Sequence, residues 1–421
     1  MLETDQRFVA LDLHKTYLMV GALDAQQQIV LHPRRVPLDQ FEAWAKRHLR
    51  STDQVVLEAT TNAWYIYDLL TPLVARVVVA DPAKAKAKMA LPVKTDKRDT
   101  LELARLLLAN MVPEVWVPPA HVRELRSLIA HRARLVRQRT AAKNRLRSLL
   151  HRHSIVPPEG QVFALSQRPW WDALELSLTE KMRARQDLAT IDHFGALIAE
   201  AESELARLSG RDPWAEMLPW LIHLPGMGLI TAMTVLSAIG DISRFPSAKH
   251  LVGYSGLGAK VHASGQTHWS GGITKQGRAE LRAALIEAAW AAVRHSPHWR
   301  QHFERLAQTI GEGKAIVAIA RKLLVVIWHV LSAQVPDRHA DTPAVARRLL
   351  RWGASHRLAS GLGLSRAAFV RQQLDRLGLG HDLDSITYNG VVIKLPGGQQ
   401  GLGPATEAGG AGMPGRTGMP D

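Results

Sequence analysis

The chain has 421 residues, no cysteine and a formal net charge of +15, which results from 53 Lys and Arg against 38 Asp and Glu. The absence of cysteine excludes disulfides, thiolate metal sites and thiol nucleophiles, and is typical of a reducing compartment. The length predicts about two to four domains. The excess of positive charge favours a partner rich in phosphates over a merely basic surface.

The first residues lack the basic-then-apolar layout of a signal peptide. No apolar stretch approaches the length that we expect of a membrane span. We therefore expect a soluble intracellular protein with no membrane association.

Short β-rich runs alternate with helical segments in the first part of the chain. The predicted strands are residues 8–13, 17–23, 29–36, 54–59 and 75–80, and a helix is predicted over residues 37–49. This order predicts an α/β domain with a mixed sheet flanked by helices.

Four carboxylates occur at special points of this pattern. Asp12 lies in an apolar run that is typical of a central strand, where a carboxylate is costly unless it is compensated, and Glu58 lies at the end of another β run. Asp96 and Asp99 are spaced i and i+3 at the start of a predicted helix, which places them on one face. Four clustered acids make physical sense together if divalent cations neutralise them, and such oxygen ligands suit Mg²⁺ or Mn²⁺. Taken singly, Asp96 could be a helix N-cap and Glu58 a surface residue.

A long stretch without proline or glycine, residues 121–153, predicts a helix with one apolar seam and many cations on its other faces. A second helix, over residues 171–208, is expected to return against it as an antiparallel hairpin or to pair between protomers in a coiled coil. The basic face is either a solvated surface or an arm that grips phosphates and joins protomers. The candidate nucleic-acid-binding residues of this arm are Arg132, Arg137, Lys143 and Arg147.

A glycine turn follows in residues 224–232. The spacing of Gly226 and Gly228 is that of a helix-hairpin-helix, in which the amides at the start of the next helix hold a phosphate. Close packing of two helices on small residues explains the same spacing.

A polar, glycine-rich stretch then separates two helical blocks. A serine on such a flexible loop could attack phosphorus while Lys275, Arg278 and Arg282 stabilise the developing charge. Most serines in glycine loops merely serve turns, so the residues alone do not choose a nucleophile.

Several of these motifs occur together in one known family. The segments at residues 10–15 (ALDLHK), 57–60 (LEAT) and 94–99 (KTDKRD) resemble the DEDD transposases and Piv-type DNA invertases of bacterial insertion sequences. The block from residue 224 to 331 resembles the C-terminal domain of the same proteins through its Pro-Gly-x-Gly turn, Ser264-Gly265, and residues 273–275 and 281–282. The resemblance covers residues 7 to 331.

This resemblance implies an N-terminal RuvC-like domain of the ribonuclease-H-like fold. In it Asp12, Glu58, Asp96 and Asp99 bind Mg²⁺ (or Mn²⁺), and Ser264 is the nucleophile. Ser255 and Ser270 are less favoured alternatives for that role. Three residues depart from the family pattern, namely Ala259, Ala263 and Arg278, and they affect the expected loop conformation more than the chemistry.

The resemblance also implies the partners and the location. These are the DNA of the element ends and target, a guide RNA encoded by the element, and further copies of the chain in a dimer or tetramer where acids and serine of different subunits can meet. The expected location is the bacterial cytoplasm, at the nucleoid.

We predict five regions. These are residues 1–118, a RuvC-like catalytic domain; 119–210, a basic coiled-coil arm; 211–335, a mostly helical serine domain with a helix-hairpin-helix; 336–396, a helical extension; and 397–421, a disordered tail.

Two rival functions stay open at this point. One is a junction-resolving endonuclease, in which metal-activated water attacks the phosphodiester and Ser264 is structural. The other is a nucleic-acid-binding scaffold without cleavage.

Overall fold

The computed structural model describes residues 6–89, 95–264 and 267–397, and between residues 261 and 270 it describes the backbone alone. The chain divides into two compact units, Met1–Pro119 (the N-terminal unit) and Ala120–Asp421 (the C-terminal unit). The predicted tail, apart from its first residue, lies outside the described residues.

A five-stranded sheet with the order β3-β2-β1-β4-β5 forms the N-terminal unit. Its strands are β1 (Phe8–Leu13), β2 (Tyr17–Leu23), β3 (Ile29–Pro37), β4 (Gln54–Glu58) and β5 (Arg76–Ala80). β2 is antiparallel to β1 and β3, whereas β4 is parallel to β1 and β5. The prediction of a mixed sheet is confirmed.

Helices cover both faces of this sheet. They are α1 (Phe41–His48), α2 (Ala63–Leu70), α3 (Pro82–Lys88) and α4 (Asp96–Leu108). Val9 and Leu11 of β1 pack with Phe41 on one face, and Ala10 packs with Leu103 on the other. β1 is apolar on both faces because it is the central strand, and its one acid, Asp12, lies where the strand ends.

The C-terminal unit begins with three helices, α5 (Ala120–Arg152), α6 (Arg168–Ala173) and α7 (Leu178–Ser209). Ion pairs join Arg132 to Glu202 and Arg145 to Asp187. The residue further along α5 therefore pairs with the residue that comes earlier in α7. α5 and α7 are therefore antiparallel within one chain, which is one of the two arrangements left open above.

The helix predicted over residues 171–208 is not continuous. It is interrupted after α6, and α7 begins at a cap in which the Ser177 hydroxyl accepts a hydrogen bond from the Glu180 amide (3.3 Å). The same hydroxyl donates to the Glu180 carboxylate at 3.3 Å. The Ser-x-x-Glu pattern of the sequence is that of a capping box, and the bond from the Glu180 amide to the Ser177 hydroxyl is the half of it that forms.

The rest of the C-terminal unit is mostly helical. Its helices are α8 (Trp214–Met217), α9 (Pro219–Ile222), α10 (Leu229–Ile239), α11 (Ala248–Ser255), α12 (Ala279–His295), α13 (Pro297–Ile310), α14 (Glu312–Ala333), α15 (Thr342–Ala354), α16 (Leu358–Gly361) and α17 (Arg366–Leu377). Short 3₁₀ turns at Leu38–Gln40, Leu165–Gln167, Ile242–Arg244 and Ser355–Arg357 complete the helical elements of the described residues.

One helix corrects the expectation about membrane spans. α14 has 22 residues and is apolar enough to cross a membrane by length and composition. Half of its apolar window is buried within the unit, with buried residues spaced from Ala315 to Leu331, and α14 packs against α11, α12 and α13. Because this apolar face packs in the core of the unit, α14 has the composition of a core helix.

Two β-hairpins interrupt this helical unit. The stretch predicted as a flexible serine loop contains β6 (Ala259–Ser264) and β7 (Thr267–Ile273), which pair in antiparallel fashion. The extension predicted as helical over residues 336–396 ends in a second hairpin, β8 (Ser385–Tyr388) and β9 (Val391–Lys394). Asn389 and Gly390 connect the second hairpin with φ of +50° and +77°. Both predictions are therefore corrected at these segments.

Candidate active site

Two carboxylates lie at the ends of neighbouring parallel strands in the N-terminal unit. Asp12 is the penultimate residue of β1, and Glu58 is the last residue of β4. Leu11 pairs with Leu57, so the two acids directly follow a paired position. Both side chains are half-buried. Their charges are therefore only partly screened by water.

Two further carboxylates lie in the first turn of α4. Thr95 is the N-cap of this helix, since its hydroxyl accepts a hydrogen bond from the Arg98 amide (3.3 Å). The buried Thr100 hydroxyl donates to the carbonyl of Asp96 at 2.7 Å, and α4 packs on β1 and β2. Because Thr95 caps the helix, the interpretation of Asp96 as a mere N-cap is wrong.

Three of the four predicted acids meet in one cavity. Asp12, Glu58 and Asp99 line a space of about 180 Å³, together with Lys86 of α3 and Met89. No motif in the sequence indicated Lys86 as part of this group.

The fourth acid, Asp96, lies with His14 and Tyr17 at the turn between β1 and β2. Nε2 of His14 is 3.2 Å from Oδ2 of Asp12 and 3.7 Å from Oδ2 of Asp96. The Tyr17 hydroxyl donates a hydrogen bond to Oδ2 of Asp96 at 3.2 Å. One potential ligand atom from each of Asp12, His14 and Asp96 lies within 4.8 Å of the others. Asp12 therefore belongs to both groups of potential ligands.

The electrostatics of Asp12 favour a cation at this point. Burial, as the largest cause, raises the pKa of the Asp12 carboxyl, the charges of Asp96 and Asp99 raise it further, and His14 acts in the opposite direction. A divalent cation would reverse this penalty, because it stabilises the ionised carboxylates. The donor set, mainly carboxylate oxygens, fits a hard divalent ion.

The serine region is described mainly through its backbone. Ser264 is the last residue of β6, and its side chain, like that of Ser270 in β7, lies outside the described residues. Ser255 is fully buried; its hydroxyl donates to the carbonyl of Val252 (2.8 Å) and accepts from the amide of Leu257 (3.2 Å). Burial with these partners gives Ser255 a structural role in the turn after α11.

Close backbone contacts hold the base of the hairpin that β6 and β7 form, called here the serine hairpin. A Cβ at Gly256 would lie 2.3 Å from the carbonyl oxygen of Gln276, and a Cβ at Gly277 would lie 2.1 Å from that of Tyr254. Arg282 donates to the carbonyls of Ser255 (3.1 Å) and Gly277 (2.9 Å). Arg282, predicted to bind nucleic acid, thus bridges the two ends of the hairpin.

Both units match models of known transposases. Residues 9–155 match the family model of the DEDD transposases of the IS110 type. Residues 219–304 match a second family model, described as the transposase IS116/IS110/IS902 family. Together these ranges contain Asp12, Glu58, Asp96, Asp99 and Ser264. The chain belongs to the IS110 family of DEDD transposases.

Relatives across this family are similar over most of their length. This transposase is 27% identical to the putative transposase y4qE of Sinorhizobium fredii, over 69% of this chain and 72% of the relative. It is 25% identical to the transposase for insertion sequence element IS1111A of Coxiella burnetii, over 78% and 91% of the two chains. It is 28% identical to the pilin gene-inverting protein of Moraxella bovis, over 70% and 86%. The chain is therefore an enzyme of DNA transposition or recombination.

The two glycines of the predicted helix-hairpin-helix play different parts in this transposase. Gly226 has a φ of +82°, and a Cβ there would lie 2.1 Å from the carbonyl oxygen of Ala288 in α12. Gly228 is the N-cap of α10 and has open space where a side chain would be. Small-residue packing therefore explains Gly226, whereas the phosphate-holding amides remain a prediction for Gly228 and the start of α10.

Basic side chains from distant parts of the chain line the same cavity as Gly228, which has a volume of about 310 Å³. They are His295, Arg348 and Arg351. Arg348 donates to the carbonyls of Ile222 (2.9 Å) and His223, and burial lowers the pKa of its guanidinium to about 10. Arg348 and Arg351 are far from the glycine turn along the chain, so no sequence pattern links them to it.

In the basic arm of the transposase, some cationic side chains pack against neighbouring residues and others are exposed to solvent. The predicted nucleic-acid-binding residues here are Arg132, Arg137, Lys143 and Arg147. Arg132 is paired with Glu202, whereas Arg137 is exposed. Lys143 and Arg147 lie over the ring of Phe163 at 5.6 and 5.3 Å from its centroid, and burial lowers the pKa of Lys143. Arg137, Lys143 and Arg147 remain candidates for phosphate contacts.

Proposed function

We propose that this transposase cuts and rejoins the DNA of an insertion sequence, with Asp12, Glu58, Asp96 and Asp99 holding Mg²⁺ (or Mn²⁺) and Ser264 as the nucleophile. The observation that carries the proposal is the position of Asp12, which shares one cavity with Glu58 and Asp99 and one cluster with Asp96. A single carboxylate common to two groups suits a pair of cations that lie close together.

The residues of the N-terminal unit bind the cations and orient the phosphodiester. Asp12, Glu58 and Asp99 would hold one cation in the cavity, and Asp12 with Asp96 would hold another. When bound, the cations supply positive charge that stabilises the attacking and leaving oxygens of the phosphodiester. Lys86, on the wall of the same cavity, is placed to contact the phosphate. We assign residues 1–118 as a RuvC-like catalytic domain, which the mixed sheet and the acids at the ends of β1 and β4 support.

The serine step is a phosphoryl transfer. Oγ of Ser264 forms a bond to phosphorus, and the bond from phosphorus to the leaving deoxyribose oxygen breaks. In the net reaction the proton of the serine hydroxyl passes to the leaving oxygen, which is released as a hydroxyl. The phosphoserine ester retains the energy of the original bond, so the reverse attack by another DNA hydroxyl rejoins the strands without a nucleotide cofactor.

The other regions supply binding. We assign the arm at residues 119–210 to a guide RNA of the element and to oligomer formation, and residues 211–335 to the serine domain with its phosphate-holding turn. The net charge of +15 and the exposed cations of the arm support a polyanionic partner. The acids and Ser264 would act on the same phosphodiester, within one chain or between copies in a dimer or tetramer.

Cleavage of element-end DNA tests this proposal, with the Asp12→Asn and Ser264→Ala variants in the presence and absence of Mg²⁺. We expect cleavage only with the metal, a covalent protein–DNA adduct in the wild type, and loss of the adduct in both variants. Matched controls are Asp39→Asn, an exposed carboxylate of the same unit, and Ser270→Ala on the opposite strand of the hairpin.

The results separate the rival functions. If Ser264→Ala still cleaves with Mg²⁺ and no adduct forms, the protein is a nuclease that uses activated water. If DNA is bound in a salt-dependent way but never cleaved, it is a scaffold. Either result overturns the proposed serine mechanism.

A further inference from the structure

The ring nitrogen of His14 that faces the acids lacks a hydrogen bond. Nε2 is buried from water and has no hydrogen-bond partner, although it lies 3.2 Å from Oδ2 of Asp12 and 3.7 Å from Oδ2 of Asp96. A buried polar atom without a partner is costly. Nε2 lies within ion-pair distance of both carboxylates without forming a hydrogen bond of good geometry, and it is placed where a third ligand to a shared cation would be.

The local fold holds this ring in position. The amide of His14 donates to the carbonyl of Tyr17 at 3.0 Å, which closes the turn between β1 and β2. The His14 and Tyr17 rings are stacked, with centroids 4.3 Å apart, and the Tyr17 hydroxyl donates to Asp96. Arg35 lies 4.6 Å from the centroid of the Tyr17 ring. The imidazole and the Asp96 carboxylate are thus set by the same turn.

The spacing of these atoms fits one small cation. Ligands at about 2.1 Å from a metal in an octahedral site are about 3.0 Å apart along an edge. The 3.2 Å from Nε2 to the Asp12 oxygen is close to that edge, and the 3.7 Å to the Asp96 oxygen lies between the edge and the distance of about 4.2 Å across such a site.

From this geometry we infer that His14 is a nitrogen ligand of the cation held by Asp12 and Asp96, and that it makes this site select Mn²⁺ over Mg²⁺. The inference rests on the proposed metal site. Mg²⁺ prefers oxygen ligands and gives up its water reluctantly, whereas Mn²⁺ binds mixed oxygen and nitrogen sets more strongly. An all-carboxylate site would discriminate less.

Binding of Mn²⁺ to the full chain without DNA tests the inference, with electron paramagnetic resonance to count free Mn²⁺ and Mg²⁺ as the competitor. We expect His14→Ala and His14→Gln to weaken Mn²⁺ at this site by roughly tenfold or more. We expect them to change Mg²⁺ affinity much less. The matched control is His32→Ala, an exposed histidine on β3.

Electron spin echo modulation gives a readout that does not depend on affinity or activity. Bound Mn²⁺ should show coupling to a directly ligated ¹⁴N nucleus in the wild type and in His32→Ala, and this coupling should be absent in both His14 variants.

The failures can be told apart with Asp12→Asn. If Asp12→Asn abolishes Mn²⁺ binding while the His14 variants bind as the wild type does, or gain affinity, His14 is only a counter-ion of the acids and the inference is overturned. If Asp12→Asn binds Mn²⁺ as well as the wild type, the proposed metal site itself is wrong.

Discussion

A single methyl group at Gly226 should destabilise the C-terminal unit. Gly226→Ala must keep a φ of +82°, which costs an L-residue about 1–2 kcal/mol. Its Cβ would also lie 2.1 Å from the carbonyl oxygen and 2.9 Å from the carbonyl carbon of Ala288, both atoms of the α12 backbone. Because a helix backbone cannot move aside as a side chain can, this overpacking adds about 1–3 kcal/mol. We therefore expect a loss of about 2–5 kcal/mol in the free energy of unfolding.

Urea denaturation followed by tryptophan fluorescence measures this loss, because most of the tryptophans lie beyond Ala120. The matched control is Gly228→Ala, two residues away, where φ is −94° and no atom lies within 4 Å of the added Cβ. We expect the control to change the free energy of unfolding by less than about 1 kcal/mol. If the two variants unfold alike, the close approach of Gly226 to α12 is not what fixes this turn.

Three further predictions concern the C-terminal unit. Burial lowers the pKa of His223 to about 4, so the neutral imidazole stabilises the fold above pH 6.5. Acidification from pH 6.5 to 4 should lower the free energy of unfolding by about 3 kcal/mol. His223→Gln should remove this part of the pH dependence in urea titrations. Arg282→Met should lower the free energy of unfolding by about 1–3 kcal/mol, since two carbonyls lose their donor, whereas a purely DNA-binding Arg282 would leave denaturation unchanged. Lys275→Gly should leave stability nearly unchanged, because glycine adopts its φ of +57° freely, and should reduce the salt dependence of DNA binding by about one phosphate contact; an unchanged slope would remove Lys275 from the interface.

The central sheet could be predicted from the sequence because its signals are local. β1 and β2 have the predicted bounds, since each is a compact apolar run and the polar turn between them is short. The order of the strands and the pairing of β1 with β4 depend on contacts between distant segments.

Two of the misread elements carried local signals. Ser177 is the N-cap that starts α7, in a Ser-x-x-Glu pattern with Glu180, and Asn389-Gly390 is a strong hairpin turn between β8 and β9. At the serine hairpin, by contrast, the glycine-rich composition indicated a loop, whereas the backbone pairs from Ala259 to Ile273.

The acids of the candidate site could be predicted from the sequence, whereas its other groups, His14 and Lys86, could not. The spacing of Asp96 and Asp99 indicated one helical face, and the costly position of a carboxylate in an apolar β run indicated Asp12 and Glu58. His14 lies two residues beyond Asp12, and only the stacked turn with Tyr17 aims its ring at the acids, so no periodicity indicates that role. Lys86 reaches the cavity because α3 packs beside the strand ends, which is a property of the tertiary fold.

The most direct test of the whole account is to trap the enzyme on a nicked suicide substrate and to identify the modified residue by peptide mass spectrometry. We predict one phosphodeoxyribose adduct, on Ser264, which forms only with a divalent cation and disappears in Asp12→Asn. An adduct on Ser270, or metal-dependent cleavage with no protein linked to the DNA, would contradict the account.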